Sequence, residues 1–299
     1  MNQVKPNTFL IGAQKCATTS IYNWLSQHPE ICGPLAVKDY EYFIREEYYS
    51  DTELLSSFYD KVYNNEKIIL QGCVHYIYFY KALERIKNYN PNSKFILVIR
   101  NPIERAISAY HYAVKFNYES LPIDEAFNME DERIKTGNIR TLSELTYKTH
   151  GLYYEQIKSF YEIFNKSQLH IIFYEEVIGN PKEAIKKVYN FLEVDDLFIP
   201  EFKIMNITGK VRNKLLQRVG FGDYPIRNFF VRKVLRTFLS EEKWAKLRFT
   251  IIHANTLKGK SNYYEDINKA LKEELHLFFN KDIENLQKLL NVDLSNWEQ

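Results

Sequence analysis

Four short stretches of this chain put side chains at spacings that could do chemistry, two of them on anions. The first is F-L-I-G-A-Q-K-C-A-T-T-S at 9–20, in which an apolar run ends at Gly12 and is followed by Lys15, Thr18, Thr19 and Ser20. A loop that opens a helix exposes free backbone N–H groups and the positive end of the helix dipole, which is a ready phosphate site. Lys15 adds a point charge and the three hydroxyls add donors. The arrangement is not a Walker A loop, which places Lys directly before Ser/Thr after a second Gly. Here Lys15 precedes the threonines by three positions. The second stretch is R-N-P-I-E-R-A-I-S-A-Y at 100–110, directly after the apolar run F-I-L-V-I at 95–99. An arginine at the C-terminal end of a buried strand reaches the crevice where open α/β sheets bind ligands, and its planar fork suits phosphate. Pro102 fits the first turn of a helix, and Ser108 falls two turns along it. Arg105 on the same helix reads equally well as a solvated surface charge.

The third and fourth stretches supply proton acceptors. V-K-D-Y-E-Y-F at 37–43 carries Asp39 and Glu41, and Q-G-C-V-H-Y at 71–76 carries His75. An ordinary imidazole pKa near 6.5 makes His75 a plausible base at neutral pH, with a buried structural imidazole as the competing reading. His28 and His111 read as structural. Cys16 lies beside a helix N-terminus, which can lower a thiol pKa, but is taken as a packing residue.

Positioning these groups requires strands that end where the loops begin. T-F-L-I-G at 8–12, K-I-I-L-Q-G at 67–72, K-F-I-L-V-I-R at 94–100 and L-H-I-I-F-Y-E at 169–175 are strand-length apolar runs. Helical patterns intervene after Thr19, through A-L-E-R-I-K-N-Y, from Ile103 past Tyr110, from Tyr153 to Phe164 and from Pro181 to Leu192. Such alternation predicts an α/β fold with an open parallel sheet flanked by helices. Residues 193–224 have no clear period and are rich in Lys and Arg. Residues 225–299 read as a C-terminal helical part of the same domain, so that 1–299 is expected to be one domain.

The bulk numbers narrow the function. The 299 residues are 45% hydrophobic and 26% charged, with a formal net charge of +2. Any anion site must therefore be local, and a general nucleic-acid binder is disfavoured. Three cysteines give no disulfide framework and suit a reducing cytoplasm, and neither they nor the seven histidines form a metal-ligand pattern. The apolar start is too short for a signal peptide, and no run reaches membrane-spanning length. A cytoplasmic protein without membrane insertion, nucleic-acid partner or metal is the expectation.

Taken together, G-A-Q-K-C-A-T-T-S and R-N-P-I-E-R-A-I-S-A-Y resemble the 5′-phosphosulfate loop and the 3′-phosphate motif of the sulfotransferases that use 3′-phosphoadenosine 5′-phosphosulfate (PAPS) and release 3′-phosphoadenosine 5′-phosphate (PAP). The likeness continues through H-P-E-I-C-G-P-L-A-V-K-D-Y-E-Y-F, through the segment from Gly151 to Val194, and into D-I-E-N-L-Q-K-L-L-N-V-D-L-S-N-W. It implies a P-loop-like fold. It also implies that the loop holding Gly12, Lys15, Cys16, Ala17, Thr18, Thr19 and Ser20 binds the phosphosulfate, with Lys15 also catalytic, and that Arg100 and Ser108 bind the 3′-phosphate. Many relatives close a basic loop over the nucleotide, for which Lys210 and Arg212 in N-I-T-G-K-V-R-N-K are the candidates. Asp39 stands where glycan sulfotransferases carry a catalytic Glu after Lys. His75 stands roughly where cytosolic sulfotransferases carry a catalytic His. Both remain open as the base, with Asp39 taken first.

The chain departs from the family pattern at Ala17, where a Gly is usual, and at Q-G-C-V-H-Y. The acceptor implied is a hydroxyl, or an amine or amide, of a small molecule, a natural product or metabolite, with a lipid-linked sugar or other glycan as the alternative. The acidic residues Asp39, Glu41, Glu46 and Glu47 raise the idea of a cationic acceptor. A P-loop kinase and a nucleotide-binding protein without activity are the remaining rivals.

Overall fold

The computed structural model describes residues 3–203 and 267–297. Five strands form one sheet: β1 (Thr8–Gly12), β2 (Ile31–Cys32), β3 (Ile68–Gly72), β4 (Lys94–Ile99) and β5 (Leu169–Phe173), in the order β2-β3-β1-β4-β5. Every pairing is parallel, with Leu10 opposite Gly72 on one side and Ile96 on the other. All residues of β1 and β3 are buried, as are five of the six in β4. A parallel sheet covered on both faces accounts for runs that are mostly apolar without alternation. Four of these strands lie where the sequence places them. β2 has two residues, too few to show a period in H-P-E-I-C-G-P.

The long helices are α1 (Thr18–Leu25), α2 (Tyr80–Tyr89), α3 (Pro102–Lys115), α4 (Tyr153–Ile163), α5 (Pro181–Leu192) and α6 (Lys269–Leu290). Local chemistry starts several of them. Asn101 accepts hydrogen bonds from the N–H groups of Ile103 and Glu104 (2.9 and 3.3 Å) while Pro102 fills the first turn of α3. Asn180 and Pro181 do the same for α5. α4 has no side-chain cap from its own N-cap residue. Asp282 of α6 takes that place, with both carboxylate oxygens 3.2 Å from the N–H of Tyr154.

The order of the strands creates the site. From central β1 the chain moves to β2 and β3 on one side, then crosses to β4 and β5 on the other. The segments after β1 and β4 therefore leave in opposite directions, and the crevice between them at the C-terminal strand ends is a topological switch point. The core beneath packs Phe9 against Phe43 and Phe95, with Phe95 against Phe160 and Phe164.

The chain divides into two compact units. The first comprises Met1–Ala106, Lys148–Asn206 and Lys269–Gln299, and contains the sheet. The second comprises Ile107–Tyr147 and Ile207–Asn268. Its described part adds three six-residue helices to the end of α3: Ile123–Asn128, Glu130–Lys135 and Ile139–Glu144. These are tied by buried Glu119, which accepts from Arg133 (2.7 Å), from the Tyr147 hydroxyl (2.9 Å) and from the N–H groups of Ser120 and Leu121. Most of the 193–224 segment and of the helical part from 225 lies outside the described residues.

Candidate active site

The loop after β1 is bent by backbone conformations that L-residues seldom adopt. Lys15 has φ 69° and Ala17 has φ 58°, both left-handed. Alternation of this kind turns successive N–H groups toward one side, the nest geometry of phosphate loops. For a residue with a Cβ each such position costs about 1–2 kcal/mol, so Ala17 carries a penalty that glycine would not. At Gly12 (φ 154°) a Cβ would lie 2.8 Å from Ile77 Cγ2 and 3.1 Å from the Val74 carbonyl, so only glycine lets the loop leave the strand there. Ala17 is the N-cap of α1 and offers no side-chain cap. Thr18 and Ser20 are buried on the first turn, and Lys15 and Thr19 are half-buried. Cys16 faces inward, 3.9 Å from the Tyr153 hydroxyl. Burial pushes its thiol up to about 11, against the opposing pull of Arg105 and Arg100, so it packs and does not react.

Arg100 follows β4, next to that loop across the switch point. Its guanidinium lies over the Tyr174 ring (4.4 Å to the centroid) and bonds Glu104 through Nε (3.0 Å) and Nη2 (2.5 Å). Arg105 is fully buried, which rules out the surface-charge reading. Its charge acts on Cys16, Tyr153 and His75 alike, which puts a buried cation beneath the loop. Ser108 is buried further along α3, in the second unit. Lys210 and Arg212 lie outside the described residues.

Asp39 and His75 meet at the tip of β3. Lys38 forms a parallel bridge with Gly72, and the Asp39 N–H donates to the Gly72 carbonyl at 2.6 Å. The Asp39 Oδ1 accepts from Lys38 Nζ (2.5 Å) and from the Val74 N–H (3.2 Å). The unusual Q-G-C-V-H-Y stretch is what holds this segment. The Gln71 amide donates to the carbonyls of Val37 and Tyr40, and the Tyr76 hydroxyl donates to that of Tyr40. His75 is buried, and its Nδ1 has no hydrogen-bond partner among the described residues. Its ring stands 5.5 Å from that of His150, which stacks on Tyr78 at 3.8 Å. Burial lowers the His75 pKa to about 4, a shift that Asp39 opposes and that Lys38 and Arg105 reinforce. His75 is therefore neutral at pH 7 and a weaker base than an ordinary imidazole.

The acidic residues near Asp39 do not form a cation-binding surface. Glu41 pairs with Arg45, Glu47 with Arg45, Glu46 with Arg85 and Lys81, and Asp39 with Lys38. Each negative charge already has its positive partner, so the idea of a cationic acceptor loses its basis. The sequence reading missed Lys38 as a contributor and left Arg105 open between a phosphate partner and a surface charge. Lys38 shares a motif with Asp39, and Arg105 belongs to the R-N-P stretch, but only burial distinguishes either from surface charge.

The family model of the sulfotransferase domain matches residues 5–213. The chain belongs to the sulfotransferase family. It is 23% identical over 280 residues to the membrane-associated sulfotransferase kil1 of Dictyostelium discoideum, covering 68% of this chain and 59% of that protein. It is 25% identical over 202 residues to the bifunctional heparan sulfate N-deacetylase/N-sulfotransferase 4 of Mus musculus, covering 63% of this chain and 22% of that protein. It thus spans about three-fifths and about one-fifth of the lengths of these relatives. Among solved structures, a sulfotransferase from Alicyclobacillus acidocaldarius shares the fold, with a TM-score of 0.71, 23% identity and coverage of 99% of this chain and 100% of the other. A mouse sulfotransferase, SULT7A1, complexed with PAP matches with a TM-score of 0.50 at 13% identity, over 95% of this chain and 86% of that one. Among the described residues, no His/Cys/Asp/Glu cluster could hold a metal ion, and no helix is long and apolar enough to cross a membrane.

Proposed function

We propose that this sulfotransferase-family chain moves a sulfuryl group from PAPS to a hydroxyl of a small acceptor. One observation carries the reading: the Lys15 loop and Arg100 flank the switch point of the sheet, each at a C-terminal strand end. Cationic groups on either side of one crevice suit a nucleotide with phosphate at both ends of its ribose. The donor set fits as well. The uncapped start of α1, Lys15 and the hydroxyls of Thr18, Thr19 and Ser20 suit the phosphosulfate, while Arg100 suits the 3′-phosphate.

In the proposed reaction Asp39 takes the acceptor's proton through Oδ2 as the acceptor oxygen bonds to sulfur. The bond between sulfur and the phosphate oxygen breaks, and Lys15 with the loop N–H groups meets the charge left on the departing phosphate of PAP. His75, buried and weakly basic, is the alternative proton acceptor.

A second reading, a sugar hydroxyl on a glycan, is favoured by the Asp39 side chain. At 46% exposed it leaves room for an extended acceptor. Thermal unfolding with PAP and with ATP tests the donor. A ligand at 100 times its Kd stabilises by about 2.7 kcal/mol, roughly 5 °C for a chain of this size. PAP should give that rise and ATP should not; equal shifts would refute PAPS as donor. Transfer to 2-naphthol, glucosamine and heparosan oligosaccharides, read as PAP released, separates the acceptor classes.

A further inference from the structure

Lys38 is built into the sheet in a way that an ordinary surface ion pair does not need. Its side chain is 6% exposed, against 46% for Asp39 beside it. A Cβ on Gly72 would lie 3.1 Å from Lys38 Cδ and 2.9 Å from Tyr22 Cδ2, so the lysine stem and the tyrosine ring both press on the bare glycine. Tyr22 is fixed in turn, its hydroxyl lying 3.1 Å from the carbonyl oxygens of both Pro34 and Leu70 and donating its one proton between them. In an extended segment, neighbouring side chains point to opposite faces. Asp39 escapes that rule because its φ of 63° turns the carboxylate back toward Lys38, a conformation Asp tolerates better than most residues.

Burying a lysine stem forfeits side-chain entropy, and an ion pair with so exposed a partner returns little stability. The arrangement makes more sense as an orienting device. Lys38 Nζ and the Val74 N–H both occupy Oδ1, while Oδ2 has no hydrogen-bond partner among the described residues. One oxygen is locked, and the other keeps its lone pairs for a substrate.

We propose that Lys38 is the positioning residue of the catalytic base, holding the Asp39 carboxylate so that Oδ2 meets the acceptor hydroxyl. This rests on Asp39 being the base. Lys38→Met keeps the stem over Gly72 and removes only the ammonium, so the packing survives. Turnover is read as PAP released from PAPS with the fastest of the three acceptor probes, in wild type, Lys38→Met, Asp39→Asn and the double variant. PAP affinity is measured by calorimetry on the same proteins. Lys38→Met should lower kcat about 10- to 100-fold, with PAP affinity and melting temperature near wild type. In the Asp39→Asn background the same change should have no further effect, because nothing is left to orient. Lys38→Arg, which restores a cation, should recover part of the rate. An unchanged kcat in Lys38→Met would overturn the inference. So would a Lys38→Met loss that persists in full in the Asp39→Asn background, or weakened PAP binding, since either means that Lys38 acts on the donor. A silent Asp39→Asn would instead remove the base assignment and the inference with it.

Discussion

Burial of His75 makes the stability of this protein sensitive to pH in a calculable way. Its pKa falls from 6.5 in the unfolded chain to about 4 in the folded one. Between those values the unfolded state binds more protons, so stability rises with pH across that window. The contribution is fully present above about pH 6.5 and is lost as pH falls through about 4. The total is roughly 3 kcal/mol, of which about 2 kcal/mol is lost between pH 8 and pH 5. Two other groups act in the same range. Burial also lowers the pKa of His170, which adds to the trend. Burial raises the Asp282 carboxyl to about 6, and a raised carboxyl gives stability that is present at low pH and lost as pH rises through 6. Asp282 thus offsets His75 by about 1.4 kcal/mol over the same interval. The net slope of the wild type is shallow, and the test must be a difference. His75→Gln removes the titration and leaves the other two groups in place. Urea unfolding of both proteins at pH 8, 7, 6 and 5 should show the variant's deficit shrinking by about 2 kcal/mol toward pH 5. A deficit independent of pH would show that His75 is not held neutral by its surroundings.

Further outcomes follow from individual residues. Asp39→Asn keeps the shape of the base and removes its proton affinity, so turnover should drop by ~10²–10⁴ while calorimetric PAP affinity stays unchanged; His75→Ala should be milder. Ala17→Gly relieves a left-handed alanine and should raise stability by up to about 1 kcal/mol in urea unfolding, after glycine's own entropy is deducted. Asp282→Ala uncaps α4 and should cost about 0.5–2 kcal/mol at pH 8, where the carboxylate is ionised.

The sheet was legible in the sequence because buried parallel strands are mostly apolar on both faces, and four such runs stand out at 8–12, 67–72, 94–100 and 169–175. The two-residue β2 and the six-residue helices between 123 and 144 are too short to display a period, and they depend on tertiary contacts such as the Glu119–Arg133 pair. The loop proposed to hold the phosphosulfate stood out in the sequence because its residues are local: a strand, a glycine, a lysine and hydroxyls in one run. What holds Asp39 is not local. Gly72, Tyr22, Gln71 and Tyr76 come from other segments, and their roles appear only once β3 lies beside residues 37–40. Arg105 follows the same logic, since a helical arginine is ordinarily solvated and only the packed structure shows it fully buried.

Calorimetric titration of wild type and Arg100→Ala tests the central claim, that the Lys15 loop and Arg100 together form a PAPS site. The two ligands are PAP and adenosine 5′-phosphosulfate, which lacks the 3′-phosphate. A charge-assisted hydrogen bond contributes about 1.5–3 kcal/mol, so Arg100→Ala should weaken PAP by roughly 10- to 100-fold and leave adenosine 5′-phosphosulfate nearly unchanged. Equal losses for both ligands, or no measurable PAP binding by the wild type, would contradict the account.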